Sequence, residues 1–221
     1  PNFVMAMADV WKQKKQPQRE IGMLKKAAEI APDNQLVIHS YLKALAMNDA
    51  YDILQDEAKK YIGDPKQKAG VMGILAFANT RRHPNTRAPL NEFFAAIKAS
   101  GPEEISYVLG LMQQAMGLQG LTTHALQLKK IHPNSWEIPL AIARAEAQQG
   151  KHSQAIKEYK NAMGLTKDRR YHIVALSAIA SSYSALNDHA NMEKTYREIL
   201  KIDPKNKAAL NNLAYMLLEK H

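Results

Sequence analysis

Apolar positions along the chain recur with the period of an α-helix, in pairs of stripes separated by short polar breaks. The clearest pair lies in 173–204. Leu176, Ile179, Ala180 and Tyr183 form an i, i+3, i+4, i+7 stripe, Leu186-Asn-Asp-His189 is the turn, and Met192, Tyr196, Ile199 and Leu200 form the second stripe. Residues 136–167 follow the same plan. Ile142 and Ala143 precede a turn at Gln149-Gly150-Lys151, and Ala155, Ile156, Tyr159 and Ala162 come after it. The spacing predicts an all-α protein made of antiparallel helix pairs.

The pairs end alike. Leu24-Lys-Lys-Ala-Ala-Glu-Ile-Ala-Pro32, Leu126-Gln-Leu-Lys-Lys-Ile-His-Pro133 and Tyr196-Arg-Glu-Ile-Leu-Lys-Ile-Asp-Pro204 are helices stopped by proline, which cannot continue a helix and biases the residue before it away from helical geometry. Small residues at fixed places let two helices approach, and larger ones on the facing helix fill the groove beside them. One hairpin alone cannot bury its apolar face, so neighbours must stack.

This pattern resembles the tetratricopeptide repeat, a helix–turn–helix of about 34 residues. The resemblance rests on Leu176, Ile179, Ala180, Tyr183, Tyr196, Ile199 and Pro204 in one unit. In the unit near Trp136 it rests on Ile142, Ala143, Gly150, Ala155, Tyr159 and Ala162, and in the first unit on Val4, Met7, Ala8, Trp11, Leu24, Ala27 and Pro32. Leu213, Ala214 and Leu217 open a further repeat. The match is weaker over 35–134, where Pro65 lies a residue off register and Arg81-Arg-His-Pro-Asn-Thr-Arg-Ala-Pro89 is a long break; periodicity resumes at Leu90, Phe93, Phe94 and Ile97. The resemblance implies one right-handed α-solenoid over 1–221, with units near 1–34, 35–65, 66–101, 102–134, 135–170 and 171–206 and a terminal helix at 207–221. The repeat-like end suggests a fragment of a longer chain.

Composition narrows the chemistry. Among 221 residues there is no cysteine, which removes disulfides, thiolate metal sites and cysteine nucleophiles, and suits a bacterial cytoplasm or periplasm equally. No apolar run approaches the roughly 20 residues needed to cross a bilayer. The eight histidines match no metal spacing, and Ala145-Glu-Ala-Gln-Gln-Gly150-Lys151-His152 lacks the first glycine and the hydroxyl residue of a phosphate loop. Glu103 and Glu104 follow Pro102, where first-turn acids favour the helix dipole. Ser177, Ser181 and Ser184 have no evident His/Asp pairing. No enzyme, cofactor or metal is expected. The aromatics Trp11, Tyr159, Tyr183 and Tyr196 fall on packing positions, so nucleic acid is not the expected partner.

The resemblance implies a protein–protein interaction scaffold that binds a peptide or helix on the first helices of successive repeats. The lining it implies is Met5, Asp9 and Lys12, then His39 and Lys43, Ser106 and Gln113, Leu140 and Arg144, the stripe Ser177, Ser181 and Ser184, and finally Asn211 and Tyr215. Lys43, Arg144 and Asn212 are too scattered to form the carboxylate clamp known in some members. Thirty Lys and Arg against 21 Asp and Glu give a net charge of +9. Cations gather in two connections, Arg81, Arg82 and Arg87 in one and Arg169 and Arg170 in the other. They support the alternative: a repeat segment of a bacterial envelope or exopolysaccharide-export assembly that contacts an anionic polymer. Oligomeric state is left open.

Overall fold

The computed structural model describes residues 1–83 and 86–218, all in helices and connections. Among them lie thirteen helices: α1 (Asn2–Gln13), α2 (Pro17–Ile30), α3 (Gln35–Met47), α4 (Tyr51–Ala58), α5 (Lys68–Arg82), α6 (Ala88–Ala99), α7 (Pro102–Thr123), α8 (Ala125–Ile131), α9 (Glu137–Gln148), α10 (His152–Gly164), α11 (Arg169–Ala185), α12 (His189–Ile202) and α13 (Lys207–Leu218). The chain forms two compact units, Pro1–Gly117 and Leu118–His221. The first ends where α7 is broken at Gly117 (φ 69°, ψ −177°), a conformation essentially restricted to glycine. Pro84, Asn85 and 219–221, parts of the expected break and terminal helix, lie outside the described residues.

Four hairpin turns are built identically. Lys15, Asp49, Gly150 and Asn187 each have a positive φ, between 54° and 74°, just past a first helix. The next amide donates back to the third-last helical carbonyl: Gln16 to Trp11, Ala50 to Leu45, Lys151 to Glu146 and Asp188 to Tyr183, at 2.9–3.0 Å. The amide of the positive-φ residue itself reaches the carbonyl three residues earlier, as in Gly150 to Ala147. This double closure satisfies carbonyls that a helix end leaves free, and needs a left-handed residue at one place. Only one of the four is glycine. Lys15 meets the requirement at a steric cost, while Asn187 tolerates it better.

In the second unit the helices close over small residues. Ala143 of α9, Ala155 and Ala162 of α10 and Ala175 of α11 are fully buried, with Ile156, Tyr159, Leu176, Ile179 and Ile199 filling the space between. Leu140, expected on the binding face, belongs to this core instead: it lies one turn before Ala143 and shares its buried face.

The first unit departs from plain amphipathicity. In α5 eight residues are buried around most of the helix circumference, from Ala69 to Ala78. Glycines make this burial feasible. A side chain at Gly70 would overlap the His39 ring of α3, and one at Gly73 would press on Val108 and Leu111 of α7 at 3.2–3.3 Å. In sequence these glycines interrupt an apolar run; in the fold they are where neighbouring helices touch α5.

Unfolding in urea should expose the cost of the turns. Lys15→Gly relieves about 1–2 kcal/mol of left-handed strain against about 0.5–1 kcal/mol of added chain entropy, so it should leave the protein more stable by up to about 1.5 kcal/mol. Gly150→Ala, the reverse exchange, adds the same strain and removes the same chain entropy, so it should lower stability by up to about 1.5 kcal/mol. Gly70→Ala should cost about 1–3 kcal/mol by overpacking, and lose near-ultraviolet ellipticity from the displaced rings beside it.

Candidate binding cleft

A cleft of about 660 Å³ opens in the first unit between α1, α2, α3 and α7. Met5, Asp9 and Lys12 come to it from α1, Glu20 and Leu24 from α2, His39 and Lys43 from α3, Tyr107 and Gln114 from α7. Three expected partner-binding residues, Lys12, His39 and Lys43, therefore meet in one place. On α7 the register is one residue later than expected: Tyr107 and Gln114 line the cleft rather than Ser106 and Gln113. Weak repeat periodicity before 134 hid that shift.

The α1 stripe reaches the cleft because Met5, Ala8, Asp9 and Lys12 share one face at helical spacing. Asn34 caps α3, its side-chain oxygen accepting from the Val37 amide at 3.3 Å, which sets where His39 and Lys43 fall. Two cations, Lys12 and Lys43, and two acids, Asp9 and Glu20, line the cleft. Burial, and then the Lys12 ammonium, hold the Lys43 amine below its ordinary value. Burial raises the Glu20 carboxyl; Lys12 pulls it down and Asp9 pushes it up. Among the described residues Lys43 takes part in no ion pair. A half-buried ammonium beside a second one, without a counter-ion, favours an incoming acid.

His39 does not offer itself to solvent as expected. It is 7% exposed, and its ring stacks on Tyr107 with centroids 4.8 Å apart and planes 13° apart. Its Nε2 has no hydrogen-bond partner, nor do the Tyr107 hydroxyl and both amide atoms of Gln67 nearby. Burial holds the imidazole below its ordinary value, and a backbone hydrogen bond with Gln67 pulls weakly the other way. The close approach of α5 through Gly70 buries the ring. His39 thus forms a wall of the cleft, and Lys43, one turn on, supplies the accessible charge.

Other expected residues lie elsewhere. In the second unit Arg144, Ser177, Ser181, Ser184, Asn211 and Tyr215 are exposed. The Ser177 and Ser181 hydroxyls donate to carbonyls one turn back, of Ile173 (2.8 Å) and Ser177 (3.1 Å), leaving their oxygens as acceptors. A small cavity of about 100 Å³ in this unit is lined by Lys160, Tyr183, Lys194 and their neighbours instead.

The basic segments are corrected in kind. Arg81 and Arg82 form the last turn of α5, and Arg169 and Arg170 open α11; only Arg87 lies in a connection. Arg81 lies 3.4 Å from Asp49, and Arg82 lies over the Tyr51 ring at 5.6 Å. Arg169 donates to the Ile202 carbonyl at the end of α12 (2.8 Å), and Arg170 sits 3.7 Å from the cap residue Asp168. Cations at the end of α5 suit its dipole, so the helix runs through them. At the start of α11 the Asp168 cap permits the opposite placement. Among the described residues no group of three His, Asp or Glu could hold a metal ion, and no helix is long and apolar enough to cross a membrane.

Hairpin turns, stop prolines and buried alanines together give the architecture. It is an all-α array of helical hairpins. No family model matches the sequence, and no curated protein does. Solved structures with likeness to the chain include the thermophilic tetratricopeptide protein TTC0263 of Thermus thermophilus, at 13% identity over 98% of both chains with a TM-score of 0.43. PilW, a type IV pilus biogenesis factor, is 10% identical over 96% of this chain and 97% of its own, with a TM-score of 0.46. The TPR2AB domain of yeast Sti1, in a complex with pHSP90, is 11% identical over 97% and 96%, with a TM-score of 0.38.

The depressed His39 value carries a sign. As pH falls below the ordinary histidine value of about 6.5, the unfolded chain takes up the proton first, so the stability His39 contributes above that pH is lost on acidification. Burial raises the Glu104 carboxyl, which works in the opposite direction, so the comparison must be between variants. Urea unfolding at pH 7 and pH 5 should show a larger loss for the parent than for His39→Gln.

Proposed function

We propose that this chain is a non-catalytic protein-binding scaffold that holds an extended or helical segment of another protein in the cleft between α1, α2, α3 and α7. The carrying observation is Lys43, a half-buried cation beside Lys12 with no acid paired to it. The segment that fits presents a carboxylate to Lys43 and Lys12, and apolar side chains to Met5, Leu24, Leu36 and Met47. Ser40, Asn48 and Gln114 supply hydrogen-bonding groups at the walls. In the second unit the Ser177, Ser181 and Ser184 face, with Arg144, Asn211 and Tyr215, is a separate binding surface in this reading.

The polymer reading has less support. Arg81, Arg82 and Arg169 are engaged with Asp49, Tyr51 and the Ile202 carbonyl, so part of the positive charge stabilises the fold locally. Binding to a polyanion would also fall steeply with salt.

Affinity capture at low and moderate salt, with the parent, Lys12→Glu/Lys43→Glu and Ser181→Trp as baits, tests the proposal. A protein held by the parent at both salts should be recovered about tenfold less by the double variant, a loss of about 1.4 kcal/mol, with unchanged circular dichroism. Equal recovery by parent and double variant would remove the cleft from the account. Capture that vanishes with salt for every bait would favour the polyanion.

A further inference from the structure

The first unit holds a second cavity, of about 440 Å³, that shares no residue with the cleft. It lies between α4 and α6 and is floored by α5. On one side of it α4 is short. That helix has 8 residues where α2 and α12 have 14. After Ala58 the chain leaves the regular helix, and single-turn bonds such as Tyr61 to Ala58 and Asp64 to Tyr61 carry it towards α5.

The walls are apolar: Leu54, Ala58 and Ile62 on one side, Met72, Leu75 and Ala78 below, Ala95 opposite. Ala58 and Ala78 are buried, whereas Ile62, Met72 and Leu75 are only half-covered. The volume falls in the range of small-ligand pockets, about 300–1,000 Å³. Charge at the mouth is specific. Lys59 lines it but is paired to Asp56 at 2.8 Å. Glu92 lines it with one carboxylate oxygen accepting from the Asn79 amide at 2.8 Å, and among the described residues it has no cation within ion-pair distance. The neutral Asn79 fixes the carboxylate in place without cancelling its charge, and the second oxygen is left to accept.

We propose that this cavity is a binding site for a small amphiphile with a hydrocarbon or aromatic body and one cationic nitrogen. The body lies against Leu54, Met72 and Leu75, and the nitrogen donates to Glu92. The site is independent of the cleft and of the scaffold reading. A cationic head is selected because Glu92 is a held, uncompensated acceptor, whereas an anionic head would meet the same carboxylate with like charge.

Isothermal titration of the full chain with octylammonium, octan-1-ol and octanoate, each below its aggregation concentration, tests the site. Octylammonium should bind saturably at one equivalent, at least about tenfold tighter than octan-1-ol, and octanoate should be weakest. Glu92→Gln keeps an acceptor for Asn79 and removes the charge, so it should cut octylammonium binding to the level of octan-1-ol. Ala95→Trp changes an exposed position and fills the cavity from its open side, so it should abolish binding with the circular dichroism unchanged. Lys43→Glu, in the cleft, should bind octylammonium as the parent does. The proposal is overturned if octylammonium does not saturate, if octanoate binds as tightly, or if either Glu92→Gln or Ala95→Trp binds like the parent.

Discussion

Close approach of helix backbones at small residues is the constraint on which the rest of this structure depends. Ala143, Ala155, Ala162 and Ala175 in the second unit, and Gly70 and Gly73 in the first, set how near one helix lies to the next. Once those distances are short, Ile, Leu and Tyr from the facing helices must interdigitate at near-crystalline density, and their burial drives the assembly. The hairpin turns serve the same end. Each reverses the chain within a few residues, so the two helices meet at that distance from their first turn.

The same approach explains the polar features of the cleft. α5 comes near enough to α3, through Gly70, to cover His39 and hold it neutral against Tyr107. Lys43, one turn further along α3, escapes that cover and keeps its charge at the wall. A buried imidazole and a half-buried ammonium on one helix face thus take different roles from the same packing geometry. Between α4 and α6 the packing is incomplete and an apolar cavity remains.

Part of the cleft lining was legible. The tetratricopeptide resemblance implied Met5, Asp9, Lys12, His39 and Lys43 as a lining, and these residues do line one cleft. Tyr107 and Gln114 were missed by one residue, and Glu20 and Met47 were missed entirely. The signal for α7 was poor: it is apolar around much of its surface, being covered on several sides, so no stripe marks its register. The basic connections were misread for a related reason. Gly and Pro mark where a chain can turn, but Arg81-Arg82 and Arg169-Arg170 show that helices extend or begin through charged residues when a cap or a dipole favours it.

By itself the sequence determined the all-helical hairpins, the stop prolines, the turn positions and the alanine-lined packing of 136–204, since these depend on local periodicity and backbone stereochemistry. Tertiary structure alone decided that α5 is buried around most of its circumference, that Gly70 and Gly73 are contact points, and that His39 is closed while Lys43 stays open. It also decided that a cavity remains beside α4. These features depend on which helix lies beside which, and a one-dimensional pattern does not encode the distance between residues that only the folded chain brings together.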